Sequence, residues 1–223
     1  LTPGVDFSGT NVQEPGIDEP DLVKTDGARI VVVESDGLHV VDLSSDSSTP
    51  VGRLALTGHS GGELLLSGDR VWVLANTDAY YEDGSVPPVP AVARILPPGR
   101  WRPLTSIIEV DVSDPTNPTV AGTLTVEGRY VSARVINGAV RVVVSSAPDG
   151  LPFVMPQTPA AEDRAERVNR QVVAETTIDD WVPSFVLEAS DGSLTNGQLV
   201  GCDRVSHPVA FAGFSTLSVL TVN

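Results

Sequence analysis

The residues best suited to chemistry lie in two long segments that interrupt an otherwise strand-like sequence. Asp179-Asp180-Trp181 sets two carboxylates beside an aromatic ring, a combination that binds a sugar or a cation; an exposed turn is the alternative. The other segment carries aromatic and arginine side chains, the types found at binding hot spots: Tyr80, Tyr81, Arg100 and Trp101. Alternatively, the apolar side chains of this segment pack it against the neighbouring strands.

A third group, near the N-terminus, supplies oxygen ligands of the kind that Ca²⁺ takes. Asp18, Glu19 and Asp21 lie within four residues of one another. They lack the alternating acidic spacing and the following glutamate of an EF-hand loop, so a structural arm is the alternative. Calcium is the one cofactor that these residues suggest, and no other metal or cofactor is predicted.

One motif imitates a catalytic site. Gly58-His59-Ser60-Gly61-Gly62 matches the nucleophile elbow, but that motif requires a strand before it and a helix after it. Here the next segment, Leu64-Leu65-Leu66, is typical of a strand, and the internal repeat aligns the motif with a plain linker, Glu127-Gly128-Arg129. We therefore predict no catalytic serine and no other catalytic residue.

The cysteine and histidine content points away from metal and thiol chemistry. Cys202 is the only cysteine, which excludes an internal disulfide framework. It lies five residues from His207, but two ligands are too few for zinc, which takes three or four protein ligands. We expect a packed cysteine and an ordinary loop histidine.

The chain contains an internal repeat with an offset of 68 to 70 residues. Val41-Asp42-Leu43-Ser44 corresponds to Val110-Asp111-Val112-Ser113, and the run 52–56 corresponds to 122–126. A third copy begins at 217–222, which matches 107–112. The repeat therefore predicts successive copies of one structural unit.

Each unit is predicted to be an antiparallel sheet of about four short strands. The segments are rich in Val, Ile and Leu, and turn dipeptides such as Asp26-Gly27 and Asn137-Gly138 separate them. The predicted strands are 29–34, 38–43, 52–56, 64–67, 70–75, 107–112, 123–126, 130–136 and 140–145. Repeated small sheets around a channel are typical of an all-β propeller.

Long insertions interrupt the second and third units at one equivalent position. They span 76–104 and 146–214, where the first unit has only a tight turn, so we expect both on one face of the propeller. The longer insertion contains a predicted helix, with Thr158 as its cap and Pro159 in its first turn. One narrow apolar face of this helix is formed by Ala161, Ala165, Val168 and Val172.

The N-terminal stretch resembles a known family. It runs Thr10-Asn11-Val12-Gln13, then Gly16, Asp18-Glu19, Asp21 and Val23-Lys24-Thr25-Asp26-Gly27. This stretch is similar to that of secreted bacterial and archaeal β-propeller-domain proteins, which are distantly similar to WD40 repeats. The resemblance implies a propeller fold and an extracytoplasmic location. It implies no particular activity and transfers no catalytic residue.

These observations predict a domain organisation. Residues 1–27 form an N-terminal arm, and 28–223 form the N-terminal portion of a β-propeller with about three blades, the last unfinished. Closure takes about four to eight blades, so we expect an incomplete propeller. Its open sheet edge favours self-association.

The composition excludes several classes of partner. A formal net charge of −15 disfavours nucleic acid and anionic membrane surfaces, and no apolar run is long enough to span a bilayer. We expect a non-catalytic extracytoplasmic binding scaffold whose long loops recognise a protein, glycan or small ligand. The alternative is a propeller-type hydrolase or lyase whose active site needs blades absent from this chain.

Overall fold

The computed structural model describes residues 17–44, 50–56, 62–79, 102–148 and 151–222. Antiparallel strands dominate these residues, which form three sheets and contain one α-helix, α1 (Glu162–Glu175). The all-β class with a single helix in a long connection, predicted from the sequence, is therefore confirmed. Short strands rich in β-branched residues account for this class.

The first sheet has four strands joined in chain order. They are β2 (Val23–Thr25), β3 (Arg29–Glu34), β4 (Gly37–Asp42) and β5 (Gly52–Leu54). Their alternate residues Val31, Val33, Leu38 and Val40 are almost completely buried. The period-2 alternation of a strand directs these side chains to one face, which packs on the next sheet.

The second sheet has six strands, two more than the repeat predicts. It is ordered β6 (Glu63–Ser67), β7 (Arg70–Ala79), β8 (Arg102–Asp111), β9 (Thr119–Glu127), β12 (Ser184–Ala189) and β13 (Leu194–Gln198). The additional hairpin, β12–β13, comes from the longer insertion and pairs with β9 through Phe185 opposite Val126. The prediction of about four strands for each unit therefore holds for β6 to β9, and the free edge of β9 pairs with the additional hairpin.

The third sheet also has four strands. They are β1 (Ile17–Asp18), β10 (Arg129–Ile136), β11 (Ala139–Ser146) and β14 (Thr216–Val222), in that order across the sheet. β14 pairs with β11 as β8 pairs with β7, with Leu220 opposite Val142. The predicted third copy of the repeat at 217–222 is confirmed by this pairing.

The segment before β3 contacts all three sheets. Asp18 lies opposite Val135 in the third sheet, Asp21 exchanges two backbone hydrogen bonds with Leu64 of the second, and Lys24 lies opposite Val31 in the first. The sequence prediction began at residue 29 and missed both β1 and β2. The arm boundary at residue 27 stays a prediction.

Two apolar clusters fill the spaces between the sheets. One joins the first and second sheets, and includes Val31, Leu64 and Ile108. The other joins the second and third sheets, and includes Trp72 and Val142. Each sheet is thus covered by its neighbour, as blades are in a propeller.

The helix in the longer insertion packs less closely than its sequence predicts. The Thr158 side chain makes no capping hydrogen bond, and a short 3₁₀ turn, Pro159–Ala161, precedes α1 instead. Of the predicted apolar face, Ala165 is buried and Val168 remains 36% exposed. Within the described ranges, no helix has the length and apolar character needed to cross a membrane.

Candidate functional site

A cavity lies where the second and third sheets meet, at the ends of their strands. It has a volume of about 310 Å³, within the usual range for small-ligand sites. We call it the junction cavity, and its described lining residues are Pro103, Glu127, Gly128, Arg129, Ser145, Ser146, Ala147, Asp179, Asp180, Trp181, Val182, Pro183 and Ser215. They come from the starts of β8 and β10, the ends of β9 and β11, and the longer insertion.

Gly128 makes the floor of the cavity possible. It joins β9 to β10 with φ of 123°, and its N–H donates to the carbonyl of Pro103 at 2.8 Å. A Cβ atom at this position would lie 2.7 Å from the carbonyl oxygen of Ser145. Only glycine fits both the backbone conformation and the close approach of β11.

Ser146 forms part of the cavity wall and is unusual in its hydrogen bonding. It continues the buried alternation of Val140, Val142 and Val144 along β11, so it lies on the face turned toward the second sheet. Ser146 is only 9% exposed, and its Oγ has no hydrogen-bond partner among the described residues. A buried hydroxyl without a partner costs free energy, and this oxygen itself presents almost no surface to the cavity.

Glu127 anchors the longer insertion to the second sheet beside Ser146. Its Oε2 accepts a hydrogen bond from the backbone N–H of Ser184 at 2.8 Å, and Glu127 is 8% exposed. The contact fixes the start of β12 against the end of β9. The wall of the cavity is therefore built by the same pairing that makes the second sheet six-stranded.

The turn that carries the predicted aromatic and acidic residues lies over this cavity. Asp180 accepts hydrogen bonds from the backbone N–H and hydroxyl of Thr177 at 2.8 and 3.2 Å. The indole N–H of Trp181 donates to Thr176 Oγ1 at 2.7 Å, and Asp179 accepts a hydrogen bond from Gln198. These bonds hold the turn in one geometry before any ligand arrives.

Tyr130, which follows Arg129, links the third sheet to the second. Its Oη donates to Glu63 Oε2 at 3.1 Å, and its backbone N–H donates to Asn76 Oδ1 at 3.2 Å. Burial, followed by the nearby Glu63 carboxylate, raises the pKa of Tyr130 well above its ordinary value. Tyr130 therefore stays a neutral donor that secures one side of the junction.

The structure brings three of the predicted binding residues together. Asp179, Asp180 and Trp181 all line the junction cavity. Tyr80, Tyr81, Arg100 and Trp101 lie outside the described residues, as does the Gly58-to-Gly61 part of the nucleophile-elbow motif. Their loop connects the end of β7 to the start of β8, where residue 79 pairs with 102. In the third sheet the longer insertion connects the equivalent pair of residues, 146 and 216.

The calcium candidates are not gathered around one point. Asp18 forms an ion pair with Lys24 at 2.7 Å, and Glu19 forms one with Arg134 at 2.9 Å. Asp21 instead accepts the N–H of the next residue at 2.7 Å. Two of the three carboxylates thus already have a cationic partner, and calcium binding here stays a prediction.

A different group of possible metal ligands lies at the turn between β3 and β4. Glu34, Asp36 and His39 have ligand atoms within 4.8 Å of one another. However, Asp36 is engaged by His39 at 2.9 Å and by Arg53 at 2.7 Å. The His39 hydrogen bond, and then the Arg53 charge, lower the pKa of Asp36. An ion-pair cluster explains this group.

The cysteine and histidine pair does not form a site within the described residues. Cys202 is a free and exposed thiol, so the expectation of a packed cysteine was wrong. His207 is also exposed, with Nδ1 3.0 Å from the carbonyl oxygen of Pro208. The loop from β13 to β14 remains on the surface, where Val209 and Phe211 are largely exposed.

An apolar groove lies beside the junction cavity. Helix α1 and the segment before it form its walls with Phe153, Met155, Val173 and Phe214, around a volume of about 620 Å³. Phe214 stacks on Phe153 with ring centroids 5.6 Å apart and approaches Trp181 at 6.0 Å. These aromatic contacts hold the end of the insertion against the turn above the cavity.

The sequence interpretation missed Glu127, Arg129 and Ser146. The first two were treated as linker residues, in the stretch that the repeat aligns with the motif at 58–62. A signal for the missed hairpin was present in Asp191-Gly192, a turn dipeptide whose glycine has φ of 78°. Recognising β12 and β13 would have brought the insertion next to the end of β9.

Three antiparallel sheets built from equivalent strands and packed face to face define a propeller-type domain. The family model for a beta propeller domain matches residues 7–223, so the chain belongs to this family. Searches among curated proteins and among solved structures found no significant match to the chain. Family membership establishes the scaffold, and the arguments about a ligand rest on the site itself.

Proposed function

We propose that the chain is a non-catalytic binding scaffold that acts outside the cytoplasm and holds a ligand in the junction cavity. The observation that carries this proposal is the junction cavity itself, which has a volume of about 310 Å³ and lies where the second and third sheets meet. Its wall and cover are already ordered by hydrogen bonds from Ser184 to Glu127 and from Thr177 to Asp180. Such preorganisation reduces the entropy lost on binding.

The bonding of the acidic residues supports binding rather than catalysis. Glu127 accepts a hydrogen bond from the Ser184 N–H, and Asp180 accepts two from Thr177. Both carboxylates therefore stabilise the local fold. Among the described lining residues there is no histidine or cysteine. A nucleophile with an adjacent base, as acyl or phosphoryl transfer requires, is therefore not assembled by these residues.

The location and the second loop complete the proposal. An extracytoplasmic location is supported by the resemblance of the N-terminal stretch to secreted propeller proteins. Tyr80, Tyr81, Arg100 and Trp101 belong to a connection that leaves from the equivalent hairpin end of the neighbouring sheet. We propose that this loop adds contacts to the same ligand or to a larger partner that carries it.

A ligand screen followed by site-directed variants tests the function. Thermal unfolding is recorded with amines, monosaccharides, oligosaccharides and carboxylic acids, and each stabilising compound is then titrated calorimetrically. Trp181→Ala and Asp179→Asn should each weaken binding at least about tenfold. Asp163→Asn, a carboxylate change on α1 outside the cavity lining, is the matched control and should leave binding unchanged.

Three results would contradict the proposal. The first is that no compound class stabilises the protein. The second is that a bound compound keeps its affinity in Trp181→Ala and Asp179→Asn although both variants unfold at the wild-type temperature. The third is turnover of the bound compound into a product, which would remove the non-catalytic part.

A further inference from the structure

We propose that two copies of this chain pack head to tail, with the third sheet of one copy against the first sheet of the other. Each of these sheets has an open face, and the equivalent face of another sheet is buried inside the chain. The proposal concerns assembly and does not depend on a ligand in the junction cavity.

The repeat gives the three sheets one common register. It aligns Val41, Val110 and Leu220, and each of them lies opposite an apolar residue on the neighbouring strand. The pairs are Ile30 with Val41, Val71 with Val110, and Val142 with Leu220. Directly opposite side chains lie on one face of a sheet, so the pairs mark the same face in all three sheets.

We call the face that these pairs mark the leading face. On the second sheet, Val110 packs in the apolar cluster against the first sheet, and on the third sheet Leu220 packs in the cluster against the second. The leading face of the first sheet is partly open, since Val41 is only half-buried and Val23 is 45% exposed.

The opposite face, which we call the trailing face, is open on the third sheet. On the second sheet Ile107 lies on this face, where it packs in the cluster against the third sheet and is 2% exposed. Leu217 occupies the equivalent position of the repeat on β14 and is 68% exposed. Val219, which lies opposite Val143 on the same face, is 69% exposed.

The two open faces are of the types that pack together elsewhere in the chain. Both junctions between sheets place a trailing face on a leading face. The trailing face of the third sheet and the leading face of the first sheet repeat that combination between two copies. Their contact continues an interface that the chain already uses twice, and it removes apolar side chains from water.

The arrangement of the sheets fits a closed ring of two copies. The N-terminal segment contacts the third, second and first sheets at Asp18, Asp21 and Lys24, three residues apart. Three residues span at most about 11 Å, so the neighbouring inner edges lie about as close as packed sheets. Two copies bring six sheets, and propellers close with about four to eight. A head-to-tail contact that closes on itself forms two identical interfaces.

The first test is the mass of the full chain in solution. Light scattering and native mass spectrometry between about 10 and 500 µM should show monomer and dimer without larger species, because closure uses both open faces of each copy. Val219→Lys on the third sheet and Val32→Lys on the first should each raise the dissociation constant of the dimer at least about tenfold. Val32 lies opposite Val23 on the leading face.

Controls separate these faces from other surfaces. Val173→Lys, at a 45% exposed position on α1, introduces the same charge outside both faces and should leave the dimer unchanged. Thermal unfolding by circular dichroism checks that each variant is folded. Val23→Lys replaces Val32→Lys if the latter does not fold, because Val23 lies on an edge strand.

A mixing experiment tests the head-to-tail geometry. In a mixture of Val219→Lys and Val32→Lys, one interface joins the two intact faces and the other joins the two altered ones. The mixed dimer should therefore be more abundant than either variant's own dimer. Pairing along the edge of β14 predicts instead that Val32→Lys has no effect and that mixing restores nothing.

Four results would overturn the inference. They are a monomer at every concentration, a dimer that withstands both Val32→Lys and Val23→Lys, no recovery on mixing, and loss of the dimer in Val173→Lys alone. The last result would place the contact at the apolar groove. None of them bears on ligand binding in the junction cavity, which has its own variants and readout.

Discussion

The buried Lys24 and the partly exposed Asp18 form an ion pair that connects two sheets. The Lys24 Nζ lies 2.7 Å from Asp18 Oδ1, and its side chain is only 2% exposed. Lys24 also donates to the carbonyl of Glu19. Asp18 belongs to the third sheet and Lys24 to the first. The pair therefore stabilises the N-terminal segment where it passes from one sheet to the other.

Breaking this pair should strongly destabilise the domain. Lys24→Met leaves the Asp18 carboxylate without its partner, and a loss of about 3 kcal/mol in the free energy of unfolding is expected. Urea unfolding measures it. The control is Arg134→Met, which breaks the half-exposed pair with Glu19 and should cost about 1 kcal/mol or less. Equal losses in the two variants would show that burial of Lys24 does not matter.

The free energy of unfolding should decrease at acid pH because Asp26 becomes protonated. Burial alone would raise the pKa of Asp26, but hydrogen bonds from Arg29 and Ala28 outweigh it and lower the pKa below 3.8. A lowered folded-state pKa contributes stability above the unfolded value and loses it as the pH falls through the folded value. We therefore expect stability to drop below about pH 4, with a smaller drop in Asp26→Asn.

Arg29, the partner of Asp26, also connects the first sheet to the second. Arg29 bonds Asp26 at 2.8 Å. It also donates to Asp69 at 2.7 Å and to the carbonyl of Gly68 at 3.1 Å, in the turn between β6 and β7 of the second sheet. Burial lowers the pKa of Arg29, but these carboxylates raise it overall, so its charge persists. Denaturant titrations between about pH 2 and 6 check the prediction; identical pH profiles in wild type and Asp26→Asn would contradict it.

Replacing Gly128 should damage both the fold and the cavity. Gly128→Ala places a Cβ 2.7 Å from the Ser145 carbonyl oxygen in a backbone conformation that alanine avoids, so it should cost at least about 2 kcal/mol. Gly138→Ala is the matched control, because its φ is 78° but nothing lies within 4 Å of the new atom. A smaller loss is expected there, and equal losses in urea unfolding would eliminate the contact argument.

The third sheet should promote self-association. β14 lies at the edge of the sheet, and Leu217 and Val219 on it are 68% and 69% exposed. Edge strands with exposed apolar side chains pair readily with other chains. Light scattering should show a mass that rises with concentration, and Val219→Lys should reduce it. A concentration-independent monomer mass in the wild type would refute the prediction.

Calcium should have little effect on stability at the N-terminal carboxylates. Because Lys24 and Arg134 already pair with Asp18 and Glu19, millimolar Ca²⁺ is expected to change the melting temperature by less than about 1 °C. A larger rise that disappears in Asp21→Asn would instead support the calcium site suggested by the sequence. Magnesium at equal concentration controls for ionic strength.

Local sequence was enough to determine the central hairpins of the repeated sheets. The hairpin at Asn137-Gly138 and the strands on either side depend on neighbouring residues, since positive φ angles and β-branched side chains act over a few positions. The third copy at 217–222 was recognisable for the same reason. The turn with Asp179, Asp180 and Trp181 was also identified from its residue types.

Only the tertiary structure decided how these parts combine. β1 has only two residues and shows no apolar pattern, and it is a strand because the distant edge of β10 supplies its hydrogen bonds. The β12–β13 hairpin joins the second sheet because β12 pairs with the distant β9. Glu127 and Ser146 meet at the open end of the β10–β11 hairpin, where Arg129 pairs with Ser145. Trp181 shares their cavity because β12 pairs with the distant β9, and such long-range pairing leaves no periodic signal in the sequence.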